Sequence, residues 1–189
     1  EGNRLFYEYI NYINSRQKDA NPIRDKMQAF KESDEKDSLA FYEKQMQKVN
    51  EEVAAFTKDF LDKNKGHLAM RFLQAQQEIE IIETPVLENG RKDSSFQYHY
   101  YRKHFFDNLP LDDEALLRSP VYHKKLNQYI EKMVIHVPDT VITASEWIIN
   151  QAKNNKETYR YTVWFLTNFA ERSQVMGMDK AFEIGRAHV

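Results

Sequence analysis

An all-α fold follows from three observations. Glycine and proline number only five each in 189 residues, too few punctuators for a turn-rich sandwich or barrel. Apolar residues recur at helical steps of three and four along most of the chain. Helix-start signals then fall just ahead of several of those stripes, at Ser119-Pro120, Pro138-Asp139 and Asn155. The expected architecture is an N-terminal antiparallel helical hairpin packed with, or linked to, an irregular multi-helix bundle. Residues 1–82 form the hairpin plus a short helix, 83–95 a loop or linker, and 96–182 the bundle.

Residues 3–31 read as the first helix, with Phe6, Ile10, Ile13, Ala20, Ile23, Met27 and Phe30 on its stripe and a polar gap at Gln17. Pro22 predicts a kink or break near Ala20–Pro22, because proline lacks the amide that a helix interior needs. The polar run Lys31–Ser38 makes the turn, with Asp37 or Ser38 as the N-cap of the next helix. Tyr42, Met46, Val49, Val53, Phe56 and Phe60 then alternate steps of four and three, a heptad seam. Gly66 is expected to stop that helix. A shorter one follows over about 67–79, burying Leu68, Phe72 and Leu73. Pro85 and Asn89-Gly90 mark the connecting loop.

The second half opens on Asp93, Ser94 and Ser95, which offer caps for a helix to about Phe106. Asn108–Asp113 interrupts it. After Ser119-Pro120 the stripe is Tyr122, Leu126, Tyr129 and Met133. Pro138-Asp139 opens a helix using Val141, Ile148 and Ala152. Asn155 caps the last full helix, with Tyr159, Val163, Leu166 and Ala170 on a face broadened by Trp164, Phe165 and Phe169. Met176–Asp179 reads as a turn into a helix cut short. The final EIGRAHV matches the translation of a common sequencing-adapter read-through, so 183–189 are expected to be an artefact, and a first residue of Glu suggests a missing native start.

Composition narrows function by exclusion. A formal charge of −2 supplies no field to gather nucleic acid or an anionic membrane. No apolar run approaches the length of a transmembrane helix. With no cysteine there is no disulfide, thiolate metal site or thiol chemistry in this chain. His99 and His104 are five residues apart, off the i, i+4 spacing of a helical metal pair, and His123 and His136 have no ligand at metal spacing. There is no Gly-x-Ser-x-Gly elbow and no glycine-rich phosphate loop. The carboxylates Glu78, Glu80 and Glu83 read as solvated, and Asp112–Glu114 as a helix-start run. No residue is therefore assigned a catalytic, cofactor-binding or metal-binding role, and no cofactor is expected.

The densest aromatic stretch, Phe96–Phe106, interleaves rings with Arg102, Lys103 and His104. Stacking on bases would need a basic groove, whereas Asp107, Asp112, Asp113 and Glu114 follow directly. Phe96, Tyr100 or Tyr101, Phe105 and Phe106 are expected in the core. Tyr98, Tyr101, Arg102 and His104 remain as a candidate interaction surface.

From this stretch onward the chain resembles a family of envelope thiol–disulfide proteins. The resemblance rests on YRKHFFDN at Tyr101–Asn108, LLRSPVYHKKL at Leu116–Leu126, PDT at Pro138–Thr140, YRYTVWFLTN at Tyr159–Asn168 and MGMD at Met176–Asp179. In that family a helical domain of unknown function precedes a thioredoxin-like domain whose Cys-x-x-Cys pair does the redox chemistry. The resemblance covers about Ser94–Phe182 well and the hairpin loosely. It implies a non-catalytic accessory domain of the cell envelope or periplasm, and no active-site residue carries over. The partner it implies is the chain's own downstream thioredoxin-like domain. The long heptad seam joined to an aromatic bundle leads to the expectation that the helical domain positions or dimerises that domain, as a homodimer, or presents a surface to a client protein. The reading from another class is a free-standing helical module that binds a peptide or a partner protein's helix through an exposed aromatic groove. An enzyme acting alone ranks last.

Overall fold

The computed structural model describes residues 2–33, 35–80, 82–86, 90–178 and 180. Among them are eight α-helices and no strand, as expected of an all-α chain. The chain divides into two compact units between Leu73 and Gln74. The division falls inside the third helix, ahead of the 83–95 segment. That segment is non-helical where described, with an isolated antiparallel bridge from Val86 to Lys92 and Asp93 N donating to the Pro85 carbonyl at 3.2 Å. Gly90 has φ 75°, a turn conformation that glycine adopts without a Cβ clash. Asn89 and the 183–189 tail lie outside the described residues.

The first unit is the expected hairpin. Helix α1 spans Gly2–Glu32 and α2 Lys36–Lys63, roughly 45 and 40 Å long at 1.5 Å per residue. Pro22 lies within α1 without breaking it. The loss is one amide bond to the Lys18 carbonyl, and the helix is held on both sides of it by the seam. The pairing is antiparallel: Phe30 stacks on Tyr42 at 5.6 Å, and Tyr9 meets Phe60 at 5.9 Å.

The α1 seam runs Phe6, Tyr9, Ile13, Arg16, Ala20, Ile23, Met27, Phe30. Arg16 therefore occupies a seam position, and the expected gap at Gln17 is exposed flank. Its guanidinium reaches Glu52 and Asp19, both at 3.5 Å, and lies 5.6 Å from the Tyr12 ring centre. Glu35, not Asp37 or Ser38, is the N-cap of α2. Its carboxylate accepts from the hydroxyls of Ser33 and Ser38 at 3.5 and 3.3 Å, so Ser38 supports the turn from inside the helix.

Asn64 rather than Gly66 ends α2. Its side-chain amide donates to the Phe60 carbonyl at 2.8 Å and its backbone N–H to that of Leu61 at 3.2 Å. Helix α3, Leu68–Gln76, presents Met70 and Leu73 to the core formed with Tyr9, Phe60 and Leu61. The expected anchor Leu68 is exposed and Phe72 is half-buried.

The second unit carries the remaining helices: α4 (Phe96–His104), α5 (Glu114–Leu117), α6 (Pro120–Gln128), α7 (Pro138–Ala152) and α8 (Lys156–Arg172). A π-helical turn, Tyr129–Met133, extends α6. That wider turn changes the phase of the buried stripe. Tyr122, Leu126, Ile130 and Val134 are buried, and the expected Met133 is only half-buried. Contacts from the α6–π-turn segment advance along α8 in the same direction: Tyr122 meets Thr162, and beyond the π turn His136 lies edge-on to Phe169.

Tyr122 is fully buried, donates to the Leu111 carbonyl at 2.7 Å and shares a 3.0 Å bond with the Thr162 hydroxyl. Phe105, Phe106 and Tyr129 form an adjoining aromatic cluster that Trp147 joins at 5.9 and 6.4 Å.

Asn155 caps α8 as expected, accepting from the amides of Glu157 and Thr158 at 2.9 and 3.2 Å. Asn155→Ala is expected to lower the stability of this unit by about 1 kcal/mol, read as a urea midpoint shift with unchanged slope. No loss would mean that water serves those amides equally well. After α8, Gly177 takes φ +85°, and an added Cβ would sit 3.4 Å from Pro138 Cγ. The positive φ is what favours glycine in this turn, since the Pro138 distance is ordinary van der Waals contact; Asp179 lies outside the described residues.

Candidate functional site: an aromatic-walled cleft between α6 and α8

The aromatic stretch of α4 divides into two faces. At four-residue spacing, Phe96 stacks on Tyr100 at 5.8 Å and Tyr100 lies tilted against His104 at 4.3 Å, and His104 Nδ1 bonds the Asp107 carboxylate at 2.7 Å. Tyr98, Tyr101 and Phe105 lie on the other face. The Tyr98 hydroxyl donates to the Met133 carbonyl at 2.9 Å, and Tyr101 meets Phe105 edge-on at 5.7 Å. Helical spacing places Arg102 beside Tyr98. The structure thus brings Tyr98, Tyr101 and Arg102 to one side of α4 and His104 to the other.

Of the expected core of this stretch, Phe105 and Phe106 are buried, while Phe96, Tyr100 and Tyr101 are half-buried. Burial pushes the Tyr101 phenol up, with Glu78 adding to it. Burial lowers Lys125, whose ammonium lies 5.0 Å from the Phe105 ring centre. Both shifts mark a partly dehydrated packing surface.

A second arrangement brings together residues scattered in the sequence. A cleft of about 460 Å³ lies between α6 with its π turn and the C-terminal half of α8. One wall carries His123, Asn127 and Glu131, at four-residue steps, and then His136. Trp164, Phe165, Asn168, Phe169 and Arg172 make the other. His123 Nδ1 shares a 2.6 Å hydrogen bond with the Tyr161 hydroxyl and stands edge-on to Phe165 at 5.3 Å. Burial pushes the Tyr161 phenol up, so it is protonated in this bond at neutral pH. The Ile130 carbonyl accepts from His136 Nε2 at 3.0 Å. The exposed indole of Trp164 lies on the α8 wall.

The cleft combines apolar walls with a few polar groups, the composition looked for in a candidate recognition site. Among the described residues no group of three or more His, Asp or Glu side chains is placed to hold a metal ion. No helix among them is long and apolar enough to cross a membrane. Sequence spacing gave no warning that His123 and His136 share a site, because the π turn between them has no simple residue signature. The four-residue recurrence of His123, Asn127 and Glu131 was the one visible signal.

No curated protein and no solved structure matches the chain. A family profile does, over residues 33–183, taking in α2 and the whole of the second unit described above. With most of its length matched, the chain belongs to the family described as Domain of unknown function (DUF5106).

Proposed function

We propose that this is a non-catalytic helical accessory domain that positions a thioredoxin-like redox domain, at the cell envelope, relative to its protein clients. The observation that carries the positioning role is the hairpin's cross-section. Apart from Arg16 its seam is apolar, and the flanking positions along its middle are polar: Gln17, Asp19, Arg24 and Lys26 on α1, and Glu43, Gln45, Asn50 and Glu52 on α2. A two-stranded seam with polar flanks satisfies itself and leaves no second stripe for a further helix pair. Such an arm acts as a spacer rather than a dimerisation seam. The redox context and the envelope location rest on the resemblance to envelope thiol–disulfide proteins carried by the motifs from Tyr101 to Asp179.

The test begins with the gene. Its reading frame is expected to continue past Phe182 into a thioredoxin-like domain carrying Cys-x-x-Cys, and a frame without one overturns the redox context. In the joined protein, Val49→Asp, which breaks the seam, is expected to leave reduction of a small disulfide unchanged. Reduction of a protein disulfide should fall about tenfold, as the local concentration of client is lost. Equal rates on both substrates would refute positioning.

A further inference from the structure

Lys125 lies on α6 beside the exposed Lys124, in very different surroundings. The side chain is half-buried, and its Nζ sits over the Phe105 ring, 5.0 Å from the centre. That ring is fixed in place: Phe105 is buried, with Phe106 and Tyr129 against it at 5.0 and 5.4 Å. Lys125 Nζ has no hydrogen-bond or ion-pair partner among the described residues. By contrast, Lys63 and Lys65 pair with Asp59 and Asp62. Lys26 is exposed and lies 5.1 Å from the Tyr42 ring centre, but it also donates to the Tyr42 hydroxyl at 3.1 Å. A primary ammonium carries three N–H donors and is strongly hydrated. Over a ring on a half-buried helix face it loses part of that water and receives only the weaker attraction of the π cloud. The balance shifts toward the neutral, nucleophilic amine. Burial lowers the basicity of Lys125 against the pull of Glu78, and Lys124 adds to the lowering.

We propose that Lys125 captures a small uncharged aldehyde as an imine. The amine nitrogen adds to the carbonyl carbon to give a carbinolamine. The two amine hydrogens then leave with the carbonyl oxygen as water, so no oxidant or reductant is needed. Once protonated, the imine has one N–H to hydrate where the ammonium has three, and it keeps the positive charge that the Phe105 ring attracts. Acylation would discard that charge, and a carbamate formed from carbon dioxide would reverse it. The ring therefore favours a carbonyl compound among the electrophiles that a lysine can take. The site is independent of the positioning role proposed for the hairpin.

The full chain is incubated at neutral pH and low conversion with propanal and cyanoborohydride, which reduces the protonated imine to a stable propylamine. Peptide mass spectrometry then ranks the lysines, and Lys124→Arg assigns the label between the two adjacent residues. Lys125 is expected to take at least about threefold more label than Lys124 or Lys26, since the partly dehydrated amine is the activated one. In denaturing urea the three should label alike. Acetylation by N-acetoxysuccinimide, whose product carries no cation, should show a preference for Lys125 smaller by about twofold or more. Equal labelling of Lys125 and Lys124 in the folded chain, a preference that persists in urea, or an equal preference under acetylation would each overturn the proposal.

Discussion

Tyr122→Phe is expected to destabilise the helical bundle by about 1–3 kcal/mol, although it removes one oxygen atom and keeps the ring. The phenol is fully buried and bonds both the Leu111 carbonyl and the Thr162 hydroxyl. Removing it strands both in a place water does not reach, and that desolvation cost exceeds the modest net worth of the bonds themselves.

The same group gives the bundle an alkaline limit. Burial pushes the Tyr122 phenol up to about 12, partly offset by the Thr162 bond, against an ordinary value of 10.0. Below pH 10 both folded and unfolded chains keep the proton, and the stabilisation is complete. Above it the unfolded chain releases its proton first, so stability falls as pH rises toward about 12, by on the order of 2–3 kcal/mol in all. Urea unfolding at about pH 9 and about pH 11 should show a smaller pH decrement in Tyr122→Phe than in the parent. The Tyr101 and Tyr161 contributions are common to both proteins. Equal decrements would mean that Tyr122 titrates as an exposed phenol.

Met70→Ala tests the other unit. Met70 is 1% exposed within a core of Tyr9, Phe60, Leu61 and Leu73, so truncation should cost about 2–5 kcal/mol in lost burial and residual cavity. Both tryptophans, Trp147 and Trp164, lie in the second unit. Tryptophan fluorescence therefore reports that unit, whereas far-ultraviolet circular dichroism reports helices in both. Met70→Ala is expected to move an early circular-dichroism transition to lower denaturant and leave the fluorescence midpoint in place. A common shift of both signals would show that the two units unfold as one.

The hairpin was legible because a heptad seam is a strong periodic signal, yet its one polar position was misplaced. Gln17 looked like the gap because its neighbour Arg16 looked like flank. In the structure the long arginine stem fills the seam while its head reaches Glu52 and Asp19. Buried Thr158 and Thr162 escaped notice on α8 for a related reason. A hydrophobic-or-polar reading counts hydroxyls as surface, but each is satisfied locally, Thr158 by the Ala152 and Asn155 carbonyls and Thr162 by Tyr122. Trp164 errs the other way, since a large ring on an apolar face was expected to pack and is instead 55% exposed. The cleft was hidden chiefly by the π turn, which changes the phase of α6 after Gln128 and carries the chain to His136 without a repeat that spacing rules detect.

The parallel course of α6 and α8 has an electrostatic consequence. Each helix carries a macrodipole, equivalent to about half a negative charge at its C-terminal end. Two such ends pointing the same way sum, whereas the antiparallel pair in the hairpin largely cancels. The cleft lies where α6, through its π turn, and α8 both finish, so the last carbonyls of both face the same end of it. Arg172, in the last turn of α8, answers that field at one end. Lys132, in the last turn of the π-helical stretch, answers it beside Glu131, so each finishing end carries its own cation.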